Sequence, residues 1–494
     1  MVSLGIVVGR SSPNKVSFIS SRPVRVGEYV TVDAPEGTVL YMVERTTIES
    51  RLLSEVRDYI TAEEAKKASS LNPRDKTLAS TARALGLFQS SWSSALPSIP
   101  PEPGSIVKEA ADSLLRSVYH VTGDEWVEVG RLLRRPSVPV TVNLNKLASR
   151  HLAILATTGK GKSNLLALLA KKIAEKNGTM VIFDYHSEYG NLKIEKINMV
   201  KPRINPRRLD SEQLADLLDV RSSAEKQRAL LTGVFTRVRQ RENFWEALRT
   251  ELNNMLSDEG KDSVTRQTAA RVLEIVDRAL LTKGVILDER CGTPLEILKK
   301  NRINVVDLSE LTEHQAQIIL GHFLIEILND RKNAVFGYDA RFTSPVVVAV
   351  EEAHLFIPAG VGRSECADVV SRVAREGRKF GVGLVIVSQR PNRLDPDVVS
   401  QMGSFAISGL SYPEDQRFVM TATDFVSDEL GVALPCLNTG EMILAGQWVA
   451  ATTLAMINRV EEKLVGRDID AVKEWKDDRN VGSKDHDPDE LIKP

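Results

Sequence analysis

At 494 residues the chain exceeds what one compact core usually holds, so two or three domains are expected. Its 65 Lys and Arg offset 66 Asp and Glu, and a net charge of -1 excludes a global basic field, so any contact with nucleic acid must come from a local patch. A composition that is 42% hydrophobic and 27% charged excludes wholesale disorder and fibrous repeats.

Met1 to Gly9 lacks the basic start of a signal peptide and reads as a strand, which predicts a cytoplasmic protein. Cys291, Cys366 and Cys436 lie far apart and without metal-ligand spacing, as suits a reducing compartment. Short β-rich pieces follow at Leu4 to Val8, Val16 to Ser20, Tyr29 to Val32 and Val39 to Val43, separated by turn residues such as Pro13-Asn14 and Gly27. They predict a small antiparallel sheet or barrel over residues 1–145. The Leu/Ala-rich, charged text from Glu49 to Leu87 predicts a helical insertion at about 46–103, after which strands return at Trp126 to Val129 and Val138 to Val142.

Past Asn143 the pattern changes to short runs that are apolar on both faces, alternating with helices. The runs are Leu152 to Leu155, Met180 to Phe183, Val305 to Val306, Val346 to Val350, Leu384 to Val387, Phe405 to Ile407 and Met442 to Leu444. They predict an α/β core at 146–462 with a parallel sheet between helical layers. From about 206 to 300 Leu/Ala/Arg/Glu-rich helices replace the strands, predicting an inserted helical bundle, and 463–494 reads as a charged tail. The uncharged stretches Ala84 to Pro101 and Met442 to Asn458 are broken by Ser, Pro, Gln and Thr and do not predict a membrane span.

Ala156-Thr157-Thr158-Gly159-Lys160-Gly161-Lys162-Ser163 stands between a strand and a helix and reads as a P-loop in which Ala156 replaces the first glycine. Thr158, Gly159, Lys160, Gly161, Lys162, Ser163 and Asn164 are therefore the predicted ATP-binding residues. Lys162 is aimed at the β and γ oxygens and Ser163 at Mg²⁺. Since Ala tolerates positive φ poorly, the substitution puts the loop's first turn in question.

In open α/β sheets ligands sit beyond the carboxyl ends of the strands, so the polar residue closing each run is the place to look. Val346 to Val350 closes on Glu351, a predicted Mg²⁺-shell acid, and Glu352, which would polarise the attacking water. Gln389, after Leu384 to Val387, reads as a γ-phosphate sensor or a polar strand cap. Asp184, after Met180 to Phe183, reads as a second acid or a helix cap. His186 and His354 have no metal-ligand spacing. Arg150, Arg375 and Arg378 are candidates to neutralise the transferring phosphoryl group. Arg150 lies about 13 Å from its own P-loop along the strand and could serve only a neighbour.

Taken together, Arg22-Pro23-Val24-Arg25-Val26-Gly27-Glu28-Tyr29, Ser149-Arg150-His151 leading into the P-loop, Asp184-Tyr185-His186-Ser187-Glu188-Tyr189, Val346 to His354, Arg375-Glu376-Gly377-Arg378, Ser388-Gln389-Arg390-Pro391 and Thr439-Gly440-Glu441 resemble the HerA family of the HerA/FtsK ATPases. The resemblance covers nearly the whole chain. It implies a RecA-like P-loop NTPase core preceded by a barrel of the HAS type, a homohexameric ring, and ATP hydrolysis with Mg²⁺ driving translocation on double-stranded DNA. It also implies partnership with a NurA-type nuclease in DNA-end resection, or with another effector in antiviral defence. By motif position it assigns Glu352 as catalytic glutamate, Asp184 as supporting acid, Arg378 as cis arginine and Arg150 as trans finger. Arg363, in the Gly-containing loop after the acidic strand, is a candidate DNA contact, equally a solvated loop residue. A nucleotide-gated scaffold with little hydrolysis is the competing class, and the adjacent Glu351 and Glu352 speak against it.

Overall fold

The computed structural model describes residues 3–72, 74–190, 192, 194–283, 286–360 and 364–460. Arg363 and the tail 463–494 lie outside the described residues.

Six antiparallel strands close into a barrel in the order Lys15–Ser20, Ser3–Ser12, Ile106–Glu109, Tyr29–Ala34, Gly37–Ser50, Lys76–Phe88 and back to Lys15–Ser20. Val7, Phe18, Val32, Tyr41, Val43 and Val107 are among the side chains that fill it. The helical insertion expected at about 46–103 contracts to one helix, Tyr59–Leu71, and Lys76–Phe88 is a strand. The Ala-rich composition imitated a helix, whereas Ser80, Ala82 and Ala84 are buried in alternation, the period of a strand. Small residues at these inward positions leave room for the large side chains paired with them, Phe18 opposite Ser80 and Tyr41 opposite Ala84.

Trp126–Leu132 and Arg135–Asn143, expected in the barrel, belong instead to the edge of the second sheet. Among the described residues that sheet has eleven strands. Seven are parallel, in the order Ile197–Val200, Ile303–Asp307, Thr179–Asp184, Val346–Val350, Val382–Ser388, Leu152–Leu155 and Ser404–Ile407. The expectation of a parallel strand at Met442 to Leu444 is corrected. Glu441–Gly446 runs antiparallel to Ser404–Ile407 and is followed by Thr453–Ile457 and the two barrel-proximal strands, all antiparallel. Six of the seven parallel strands are buried on both faces over most of their length, as their apolar runs require, and the edge strand Ile197–Val200 is only partly covered.

Helices Lys162–Glu175, Glu313–Phe336 and Glu365–Phe380 supply the crossovers of this core, the last two packed on each other. Ser211–Leu217, Glu225–Val238, Phe244–Ser257 and Ser263–Lys283 form the helical segment between two parallel strands. Tyr29 ties barrel to core. Its ring packs edge-on against Tyr119 at 5.5 Å, and its hydroxyl meets Thr453 Oγ1 at 2.5 Å. No helix among the described residues is long and apolar enough to cross a membrane.

Candidate nucleotide site

Leu152–Leu155 is fully buried between Val382–Ser388 and Ser404–Ile407, so the loop that follows it is held from both sides. The Ala156 amide donates to Ser388 O at 3.2 Å and the Thr157 amide to Gly409 O at 3.4 Å, continuing the sheet one step into the loop. Ala156 is absent from the residues with positive φ, so this position does not demand glycine and the doubt over the first turn is resolved. Gly159 and Gly161, with φ of 77° and 104°, make the left-handed turns that an L side chain would strain. Helix Lys162–Glu175 starts without a side-chain cap at Gly161, so its first amides are left for a ligand anion.

Lys162, Ser163, Gly159, Gly161 and Thr158 line a cavity of about 730 Å³ at the carboxyl edge of the sheet, within the range of small-ligand pockets. Lys160 does not line it, which corrects its assignment. Its amide donates to Thr157 O and its Nζ to Leu437 O at 2.6 Å, while Gly409 leaves room for its stem. Asn164 reaches the cavity wall with its amide already engaged, donating to Asn458 O at 3.0 Å and accepting from the Val460 amide at 2.9 Å. It braces that wall.

The strand carrying Gln389 lies between the P-loop strand and the acidic strand, and this order brings three motifs together. Thr158 Oγ1 donates to Gln389 Oε1 at 2.5 Å. Glu352 turns the chain at φ 45°, ψ 44°, a left-handed conformation uncommon for a residue with a side chain. Outliers of this kind cluster at functional sites. Its carboxylate lies between His186 Nε2 at 3.6 Å from Oε1 and His354 Nδ1 at 3.3 Å from Oε2. The second approach is off the line of a hydrogen bond, since Oε2 has no hydrogen-bond partner among the described residues. Burial raises the Glu352 carboxyl above the ordinary range, and the charges of Lys162 and His186 oppose the rise. Burial, followed by Arg390, Arg393 and Lys162, pushes His354 down to about 4.

Glu351 is deeper. Oε1 accepts from the Tyr189 hydroxyl, while Oε2 is buried with no hydrogen-bond partner among the described residues. Burial pushes this carboxyl well up, the Tyr189 bond opposes the rise, and Asp184 adds to it. Asp184 does not line the cavity. Its two oxygens accept the amides of Glu188 at 3.1 Å and Tyr189 at 2.9 Å, fixing the turn that presents Tyr189, so the choice between catalytic acid and helix cap resolves to neither.

The arginines are elsewhere. Helix Glu365–Phe380 descends to the amino edge of the sheet, and from there Val382–Ser388 needs seven residues, about 23 Å at ~3.3 Å each, to reach Gln389. Arg378, exposed in the last turn of that helix, is thus beyond reach of its own P-loop, and the cis assignment is corrected. Arg150 ends helix Leu144–Arg150 at the same edge, where that helix packs on Glu365–Phe380.

Thr439, Gly440, Met456, Ile457, Arg459 and Val460 complete the wall of the cavity; Thr439 and Gly440 stand in the family motif without an assigned role, and the other four had no motif. Thr439 Oγ1 bonds Gly159 O at 3.0 Å and the Gly440 amide bonds Lys160 O at 3.1 Å, so the antiparallel extension supports the P-loop from outside. Tyr189 and Glu188 lie in the Asp184 to Tyr189 motif, where the resemblance assigns them no role.

Strand, P-loop, helix and paired strand-end carboxylates on one sheet edge define a P-loop NTPase. The description "Helicase HerA, central domain" matches residues 127–327 and "HAS barrel domain" matches residues 4–71. The chain is 31% identical over 490 residues to the DNA double-strand break repair helicase HerA of Saccharolobus solfataricus, covering 96% of this chain and 95% of that one. It is 32% identical over 539 residues to the protein of the same name from Pyrococcus furiosus, covering 96% of each. Among solved structures it is similar to VirB4 of Thermoanaerobacter pseudethanolicus, with a TM-score of 0.48 and 14% identity over 70% of this chain and 99% of that one. The chain belongs to the HerA family and is an ATPase of that family.

Proposed function

We propose that the chain works as a ring of six copies that hydrolyses ATP to translocate on double-stranded DNA, acting with a NurA-type nuclease docked on the barrel in the processing of double-strand breaks. The observation that carries this reading is the separation of its charged groups. Lys162, Glu351 and Glu352 converge at the carboxyl edge of the sheet, while Arg150, Arg375 and Arg378 gather at the amino edge. A second copy set edge to edge would bring the two halves together. The names of the relatives support the DNA substrate and the repair role.

In hydrolysis the water oxygen bonds to the γ-phosphorus as the bond to the bridging oxygen breaks, and Glu352 accepts the water's proton. Burial beside Lys162 and His186 leaves it a stronger base than a solvated Glu. Lys162 and the first amides of its helix receive the β and γ charge. Ser163 and the unpartnered buried oxygen of Glu351 fit Mg²⁺ and would hold it, and when bound it neutralises phosphate charge.

The test is to purify the chain with its native partners, measure its mass in solution, and assay ATP turnover with and without duplex DNA together with nuclease activity. A monomer that hydrolyses ATP at full rate and ignores DNA would refute the reading.

A further inference from the structure

His151 joins helix Leu144–Arg150 to strand Leu152–Leu155 with φ 59° and ψ 161°, a backbone region that is essentially glycine's alone. It is 2% exposed. A histidine survives there because its ring is held at both nitrogens. The Leu384 amide donates to Nδ1 at 2.9 Å, and Nε2 stands 3.0 Å from Ala374 O. An amide can only donate and a carbonyl can only accept, so both bonds form only in the neutral tautomer with its proton on Nε2.

The two partners are informative. Leu384 belongs to the strand that leads into Gln389, which is bonded to the P-loop through Thr158. Ala374 belongs to the helix whose last turns carry Arg375 and Arg378. Arg150 itself is seated by the Gly403 amide, which donates to its carbonyl at 2.6 Å. Its helix lies so close to the sheet that a Cβ at Gly383 would stand 2.7 Å from Ala148 Cα. These contacts fix the backbone from which the Arg150 side chain departs.

We propose that His151 is a positioning residue for Arg150: its neutral ring locks the strained junction so that Arg150 and the Arg378 helix are presented as one unit to the nucleotide bound by the next copy. This rests on the shared-site reading above. The same ring touches the strand that contacts the subunit's own P-loop, so it gives a short mechanical route from one nucleotide site to the next.

The experiment uses full-length protein with His151→Leu, Arg150→Ala and Lys162→Ala, alone and in equal mixtures reassembled together. His151→Leu is expected to lower turnover ~10–100-fold at unchanged KM for ATP, the scale of a misplaced catalytic group. Mixed with Lys162→Ala it is expected to regain activity, because the two defects lie on opposite edges and some seams then carry neither. Recovery for Arg150→Ala with Lys162→Ala but not for His151→Leu with Lys162→Ala overturns the proposal, as does wild-type turnover in His151→Leu. Absence of recovery for Arg150→Ala with Lys162→Ala overturns the shared-site reading itself, and the proposal with it. If His151→Leu does not assemble, His151→Gly, which suits the backbone conformation and removes both ring bonds, takes its place with the same expected recovery and the same overturning result.

Discussion

The Tyr189 hydroxyl donates to Glu351 Oε1 beneath the P-loop, with the tyrosine fully buried. Asp184 fixes the Tyr189 amide from the other side, so a carboxylate that never reaches the cavity sets the position of one that does. Removing the hydroxyl leaves Glu351 with neither oxygen bonded by the described residues, and an unmet buried acceptor costs about 1–3 kcal/mol. Tyr189→Phe is expected to lower the melting temperature and to raise the Mg²⁺ concentration at half-maximal ATPase several-fold. Magnesium titration at saturating ATP checks it, and an unchanged midpoint would exclude Tyr189 from placing Glu351.

Glu352→Gln separates a motor from a scaffold. It removes the proton acceptor and keeps the shape, so turnover should fall by about 10²–10⁴ while nucleotide still binds. Stability should move the other way. Because the folded carboxyl is raised by burial, its ionised form weakens the fold above that raised value and the penalty vanishes on acidification. The variant should thus melt higher than wild type at pH 8, with the gap closing as pH falls. Calorimetry at several pH values, beside a nucleotide-binding titration, reads both effects.

His151 and His354 titrate at about 4 in the fold, below the usual 6.5. A histidine depressed by burial adds stability that is present above its unfolded pKa and is lost as pH falls toward its folded value, because the unfolded chain then binds more protons. From these two residues wild type should lose stability between pH 6.5 and about 4, and His354→Gln should lose less over that window. Urea midpoints across the range decide, and parallel curves would count against a neutral His354.

Ala156→Gly restores the usual P-loop glycine at a place where φ is already negative. The added freedom of the unfolded chain should destabilise by about 0.4–1 kcal/mol, with ATPase activity unchanged. A large gain in kcat would mean that the alanine restrains the loop after all.

Local chemistry was legible along the chain. Gly159 and Gly161 mark the P-loop because only glycine turns there without strain, and unbroken apolar runs such as Val346–Val350 mark strands buried on both faces. Lys76–Phe88 misled because alanine serves a barrel wall opposite large side chains as well as it serves a helix, and only pairing with Gly37–Ser50 and Lys15–Ser20 decides between them. Arg459 had no local signal and Thr439, though within the family motif, had no assigned role, since both meet the cavity through an antiparallel extension far along the chain.

The sequence by itself determined the P-loop, the order of the buried strands and the pair Glu351 and Glu352, because each depends on neighbours a few residues away. Which charges share a site was decided only by the tertiary structure. Parallel strands put every strand end on one edge and every helix end on the other, so Lys162 and Glu352 meet while Arg378 is carried about 23 Å off and Arg150 about 13 Å. Those distances are a property of the sheet and of no single motif.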